Sequence, residues 1–369
     1  MREKIAYINP DCFIHVDLTV LAELAQEFDI LWIPILSEGF AEYSEDYLRS
    51  YAEKAGIRIQ IMHAPFRMRS PRNLGLYLPL VRQINKEGFD LVFCAHNNPY
   101  WLLASCLLKA PLVYGIHDFE QHSNFRKGGL LHAATRFGIR ICHHFIFYSE
   151  QQQMRFRERF PDKSAANVGM VALDYGESRL SPLPIQNGIT VLFFGRSDSY
   201  KGLDLLISGI ESLIAEGVAN ISLTIRGRGL FWYECEDLVV HGDHFDIQIR
   251  FIESGEIPDL FSSHHFLVLP YRDTTQSGPM MIAIRYGLPV IAPNFPAFAE
   301  YCTMDNSILY KPGQLQDALM TCSKLTQKDY DLLKDAWGIV KARCTSDVVS
   351  SRYIQYFKEV TSHGTKRHR

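Results

Sequence analysis

Three short stretches of this chain carry residue types that could do chemistry. Gly195-Arg196 closes an apolar run, and Lys201-Gly202 opens an amphipathic one a few residues later. A guanidinium fork, an ammonium and a backbone turn therefore meet at one strand end, a set suited to gripping a phosphate. Either cation read alone is equally a solvated loop residue. The second stretch, HFLVLPYRDTTQSGPMMIAIRYGLPVIA over residues 265–292, reads as strand, turn, helix and strand. Ser277-Gly278-Pro279 puts a small hydroxyl, a glycine and a proline where that helix would begin. Its first-turn N–H groups lack intrahelical acceptors and sit at the positive end of the helix dipole, so an anion is the natural ligand. In the third stretch, His117-Asp118 ends the apolar run 112–116, with Glu120 and His122 behind. Asp118 is a candidate general base, although an Asp after a strand also serves as a helix cap. A further turn, Arg226-Gly227-Arg228-Gly229, adds Arg226 to the candidates and is a weaker signal alone.

The elements that must position these residues alternate. Strands are expected over residues 5–8, 31–35, 57–62, 90–95, 112–116 and 145–148, with helices over 17–27, 45–55, 76–86, around 101–109, over 129–141 and from 151. That spacing is the βαβ repeat of a parallel sheet covered on both faces. The pattern restarts with a strand at 190–194, a helix at 202–215 and strands at 221–226 and 247–251. The stretch DYGESRLSPLPIQN between the halves is rich in Pro, Gly, Ser and polar residues and reads as a linker. We expect a first α/β domain over 1–175, a linker at 176–188, a second domain over 189–345, and a returning helix with a basic tail over 346–369. Two doubly wound Rossmann-like domains facing a central cleft follow, with the site at the carboxyl ends of the strands.

Composition narrows the function. A chain of 369 residues exceeds what one core usually holds, and 47% apolar with 21% charged residues describes a globular protein. A net charge of −3 gives no general attraction for nucleic acid. No apolar run reaches membrane-spanning length and the N-terminus is too polar for a signal peptide, so cytoplasmic residence is expected. The eight cysteines lack metal spacing and read as packed thiols. His143-His144 and His264-His265 point to opposite faces beside strands, and the metal-like set His241, Asp243, His244 and Asp246 lies in a polar loop. Asn97-Asn98-Pro99-Tyr100 and Trp101 could line an acceptor groove or form a turn with aromatic packing. Residues 63–82, with Arg67, Arg69, Arg72 and Arg82 among Phe66, Leu74, Leu76 and Tyr77, and residues 126–140 mix cations with apolar side chains. They suit an anionic membrane surface, or else a solvated face over a core helix.

Through FFGR, KGLDLLI, the RGRG turn, IPDLFSSHHFLVLPY and YGLPVIAP, the chain from Val191 to about Ala318 resembles the GT-B glycosyltransferases, most closely the glycosyltransferase family 4 group. The first half matches by pattern and by YGIHD. The resemblance implies that Arg196 and Lys201, with Gly195 and Gly202, hold the diphosphate of a nucleotide-sugar, and that Ser277-Gly278 gives it backbone N–H groups. It implies that His117 contacts the donor sugar and that the loop around Phe251 borders the base. It also implies no essential metal and no cofactor, since the cations and helix terminus neutralise the diphosphate.

Family members carry two glutamates eight positions apart, and counting back from Gly287 places them at Thr274 and Ile282. Neither is acidic. A carboxylate on a ribose diol contributes on the order of 1.5–3 kcal/mol, so sugar contact is expected from Asp273, Thr275 and Gln276 instead. The expected function is transfer of a sugar from a nucleotide-diphosphate donor to a glycan or lipid-linked saccharide in surface polysaccharide assembly. An inactive partner subunit, and a phosphorylase or epimerase of the same fold, are the alternatives.

Overall fold

The computed structural model describes residues 2–39, 42–68, 70–95, 98–117, 119, 129–182 and 184–364. Two compact units emerge, one holding the chain up to residue 171 together with the C-terminal helix, the other residues 172–345.

Unit 1 begins with β1 (Lys4–Pro10), α1 (Ile14–Glu27), β2 (Asp29–Ser37), α2 (Glu45–Lys54), β3 (Arg58–Ile59), β4 (Met62–Ala64) and α3 (Leu74–Glu87). It continues through β5 (Leu91–Cys94), α4 (Pro99–Ser105), β6 (Leu112–Ile116), α5 (Gly129–Ile141), β7 (His144–Phe147), α6 (Glu150–Arg159) and β8 (Ser164–Asn167). These runs of Ile, Val, Leu and Phe are buried on both faces, as strands of a parallel sheet between helical layers must be. The sheet order is β3-β2-β1-β5-β6-β7-β8, with β4 also on β2, and it reverses between β1 and β5. One strand expected over 57–62 is in fact two. β3 pairs with Leu31 and Trp32, and β4 resumes at Ile35. The break falls at Pro34, which has no N–H to offer the ladder on that side.

Unit 2 carries β9 (Ile189–Phe194), α7 (Leu203–Ala215), β10 (Ile221–Gly227), β11 (Phe245–Ile249), α8 (Ile257–Ser262), β12 (Phe266–Val268) and α9 (Gly278–Tyr286). Then come β13 (Val290–Pro293), β14 (Ser307–Tyr310), α10 (Leu315–Ser323) and α11 (Gln327–Arg343). Its order, β11-β10-β9-β12-β13-β14, is that of a dinucleotide-binding sheet, with the reversal between β9 and β12. The polar stretch read as a linker is strapped to α9: Tyr175 N donates to Tyr286 Oη, and Arg285 pairs with Asp174 and Glu177.

The last helix, α12 (Ser346–Gly364), belongs to unit 1 and packs on α1. Tyr353 and Phe357 stand against Phe93, Phe357 also against Phe28, and Tyr356 Oη donates to Ser164 O. Burying these rings stabilises the return by several kcal/mol, far more than the exposed Lys358–Glu27 pair beside them.

Candidate functional site

An open α/β sheet leaves a crevice where its strand order reverses, here at the carboxyl ends of β9 and β12. Gly195, at φ 110°, ends β9 there; a Cβ on it would stand 3.1 Å from Lys201 Nζ and 3.7 Å from Pro279 Cγ. One glycine thus lets the ammonium and the first turn of α9 close on the same piece of backbone. Gly202, at φ 69°, starts α7 in the left-handed region, and a Cβ there would fall 2.0 Å from Pro270 O. Glycine is required at that crossing.

Lys201 is only 8% exposed. Burial pulls its ammonium down to about 8; Asp198 opposes that fall and Arg196 adds to it. Its Nζ lies 5.7 Å from the centroid of the Tyr271 ring. Arg196 is solvent-exposed and turned back on Asp198, Nε and Nη2 reaching Oδ2 at 2.9 and 2.7 Å. Arg272 ties the loop after β12 to the loop after β9. Its N donates to Tyr200 O at 2.7 Å, and its guanidinium donates to Ser199 O and to both carboxylate oxygens of Asp204.

Ser277 caps α9, its Oγ accepting from Met280 N and lying 3.4 Å from Tyr271 Oη. A Cβ on Gly278 would meet nothing within 4 Å, so the helix start is open to approach. Asp273, Thr275 and Gln276 lie on the loop leading to this cap, where Thr274 Oγ1 donates to Gln276 O. Ile282, where a carboxylate is expected by resemblance, is buried in the core. Ammonium and open helix start side by side can hold a doubly charged anion.

Arg226 is turned away from this crevice. Its guanidinium reaches across to β11, donating to Asp246 O and Oδ2. Arg228 instead stands over the Phe251 ring at 5.3 Å, past the carboxyl ends of β10 and β11. That pair offers a flat surface to a planar ring. Sequence reading missed Asp198, Tyr271 and the Asp204–Arg272 clasp. PYRD, immediately before the expected turn, was the available signal.

In unit 1, His117 follows β6 and is held between two rings. Phe13, from the β1–α1 connection, stacks at 4.0 Å and 8°, and Tyr148 at 3.9 Å and 14°. The imidazole plane is therefore fixed. Asp118, Glu120 and His122 lie outside the described residues. Beneath the stack, Asn9 Oδ1 accepts from Ala95 N across the β1–β5 switch, and Asn9 Nδ2 donates to Asp17 Oδ1 at 2.7 Å. Trp32 Nε1 donates to Asp17 Oδ2. Burial pushes this fully enclosed carboxyl up to about 7, while hydrogen bonds from Asn9 and Trp32 pull it down. Asn97 is outside the described residues, Asn98 caps α4, and Trp101 is core.

Among the described residues no cluster of His, Cys, Asp and Glu could hold a metal ion. His241 pairs with Glu211, His244 with Ile221 O, and Asp246 with Arg226. His264 and His265 are buried, the latter against Thr190. Six cysteines are buried thiols; Cys12 and Cys106 are exposed. A concavity of about 880 Å³ lies at the amino ends of β9 and β10, the opposite edge of the sheet from the crevice.

Comparisons with known proteins agree with this architecture. Residues 188–328 match the family model described as Glycosyl transferases group 1, and residues 21–166 match Glycosyltransferase Family 4. Among solved structures, HepE of Anabaena, in complex with UDP and glucose, superposes with a TM-score of 0.72 at 17% identity, covering 97% of this chain and 100% of that one. Sucrose-phosphate synthase of Thermosynechococcus elongatus gives 0.74 at 13%, covering 98% and 100%. The lipopolysaccharide outer core galactosyltransferase WaaB gives 0.67 at 12%, covering 96% and 99%. At these identities the likeness is one of fold. No curated protein sequence matches the chain.

Proposed function

Because the chain is a glycosyltransferase of the GT-B type, a Glycosyltransferase Family 4 domain followed by a group 1 domain, we propose that it transfers a sugar from a nucleotide-diphosphate donor to a saccharide acceptor. The observation that carries this reading is the convergence of Lys201 Nζ and the start of α9 on Gly195. Lys201 and the N–H groups at Ser277-Gly278 bind the diphosphate, with Arg196 swinging from Asp198 to join them, so that negative charge growing on the leaving group is met by groups already in place. Gly195 and Gly202 keep the turn clear of side chains. Asp273, Thr275 and Gln276 meet the sugar, and Arg228 with Phe251 meets the base; Arg226 supports β11 and touches no donor. No metal or other cofactor takes part.

His117, its plane fixed by Phe13 and Tyr148, contacts the reacting sugar, and Asp118, with Glu120 behind it, removes the acceptor proton. The acceptor is a glycan or lipid-linked saccharide of surface polysaccharide assembly. HepE and WaaB, of the same fold, support a donor of this kind, one holding UDP and glucose and the other being a lipopolysaccharide galactosyltransferase. The enzyme works in the cytoplasm and meets an anionic membrane surface peripherally.

A panel of nucleoside diphosphates and nucleotide-sugars in thermal unfolding tests the donor site. A ligand at a hundred times its Kd stabilises the fold by about 2.7 kcal/mol, and silence across the panel removes the reading. Ile282, apolar where a carboxylate is expected, favours a second reading as a partner subunit without turnover. Donor hydrolysis by the purified chain excludes it, and a stabilising nucleotide with no turnover on any acceptor supports it.

A further inference from the structure

The helical layer of unit 1 that covers β5 to β8 contains a groove of about 910 Å³ between α5 and α6. Phe119, Phe137, Ile139 and Phe160 line it as apolar surface. Phe119 is set edge-on against Phe156 and Phe160, so the groove rests on an ordered aromatic cluster. Around this floor stand Arg136, Arg140, Arg159 and Lys163, with Asp162 the carboxylate on the rim. Among the described residues, Arg136, Arg140 and Arg159 are exposed and make no ion pair. Lys163 Nζ donates one bond, to Cys142 O. Residues 133–163 carry six Lys and Arg against three carboxylates, in a chain whose net charge is −3.

Unpaired cations over aromatic surface, on a protein of opposite overall charge, call for an anionic and partly apolar ligand. The same layer shows apolar side chains to solvent, Leu103 on α4 and Met154 on α6. It also carries the other basic-apolar stretch: Arg72 stands over Phe66 just before α3, α3 packs on α4, and α4 packs on α5. A soluble anion would account for the cations alone. A bilayer interface accounts for both, because its phosphates lie directly over acyl chains.

We infer that the groove between α5 and α6 takes the phosphate headgroup of an anionic membrane lipid, Arg140 and Arg159 pairing with the phosphate while Phe137 and Phe160 pack on the first acyl carbons. This deepens the peripheral membrane contact proposed above, and rests on that reading for its purpose.

Flotation of the full chain with phosphatidylcholine vesicles, with and without phosphatidylglycerol, tests it. The protein should float with the anionic vesicles at low salt, stay behind with pure phosphatidylcholine, and be released at high salt. Each basic residue at an anionic leaflet adds a similar increment, so the double variant R140A/R159A should partition roughly thirtyfold more weakly while unfolding at the same temperature. Absence of flotation, or a double variant that floats like the parent, overturns the inference. Equal binding of soluble glycerol phosphate, with no vesicle capture, overturns it in favour of a soluble anion site. Donor hydrolysis measured on the parent protein separates the outcomes: a parent that hydrolyses donor but never floats sinks the lipid groove alone, and a parent that floats but never hydrolyses donor sinks the transferase reading alone.

Discussion

Arg272 clasps Asp204 with both terminal nitrogens, Nη1 at 2.8 Å and Nη2 at 2.5 Å, and so joins the loop leaving β12 to the first turn of α7. Its own N–H and Nη1 also fasten Tyr200 O and Ser199 O, the residues immediately before Lys201. The clasp therefore sets where the ammonium stands, although neither partner touches the crevice itself. Both side chains are partly exposed, so the pair adds only about 0–1 kcal/mol to the fold. Arg272→Ala should leave the unfolding temperature nearly unchanged. It should weaken the best nucleoside diphosphate about tenfold, because a loosened loop loses orientation before stability. Calorimetric titration showing unchanged affinity would remove Arg272 from the positioning of Lys201.

How much of this was legible in the sequence follows from which contacts are local. Arg196, Lys201 and Ser277-Gly278-Pro279 stood out as candidates because each sits at a strand end or helix start written into a few adjacent residues. Asp198 and Tyr271 sat beside them unread, since nothing local says that Asp198 holds Arg196 or that the Tyr271 ring lies under Lys201. Phe13 and Tyr148 were out of reach for another reason: three connections from different parts of unit 1 bring them to His117, and no periodicity encodes that meeting. Arg226 shows how a local signal leaves the direction of a side chain open. Its place in a Gly-rich turn suggested a ligand, yet its β10 register puts it across from Gln248 and within reach of Asp246.

Lys201 should make donor binding depend on pH. Its ammonium titrates at about 8 in the unliganded fold, and a bound diphosphate favours the charged form. Binding above that pH must take up a proton, so Kd should rise with pH beyond about 8, approaching tenfold per unit at the limit. Calorimetry between pH 7 and pH 9, both on the order of ordinary buffer conditions, reads this slope. Lys201→Met should bind more weakly and flatten the dependence. The same depressed value makes the unliganded fold gain stability as pH rises from about 8 toward 10.5, the ordinary value for a lysine, because the unfolded chain then holds the extra proton. A pH-independent Kd in the parent protein counts against Lys201 as the diphosphate cation.

The His117 stack predicts a split between turnover and binding. Phe13 and Tyr148 hold the imidazole on both faces, and a ring freed on one side samples orientations useless to the reaction. Phe13→Ala should lower kcat about tenfold while donor affinity, set in unit 2, stays within about twofold. Phe13→Tyr keeps the ring and should retain most of the turnover. Equal losses in the two variants would mean that Phe13 packs the β1–α1 connection and does not orient the histidine.

Asp17 predicts a stability signature of its own. The carboxyl is fully buried without a cation, and burial raises it from 3.8 to about 7 despite its hydrogen bonds from Asn9 and Trp32. A folded-state value above the unfolded one means that the native state holds the proton more tightly. The resulting stability is fully present below about pH 3.8 and is lost as pH rises through about 7. Asp17→Asn cannot titrate and keeps an acceptor for Asn9 Nδ2, so it removes this contribution without emptying the site. The difference in unfolding temperature, parent minus variant, should therefore be most positive near pH 3.8, fall steadily as pH rises toward about 7 and level off above that. Tyr51 is raised by burial, so this neighbour does not titrate in that window. A difference that stays constant from acid to neutral pH would show that Asp17 is ionised throughout and that the hydrogen bonds outweigh its burial.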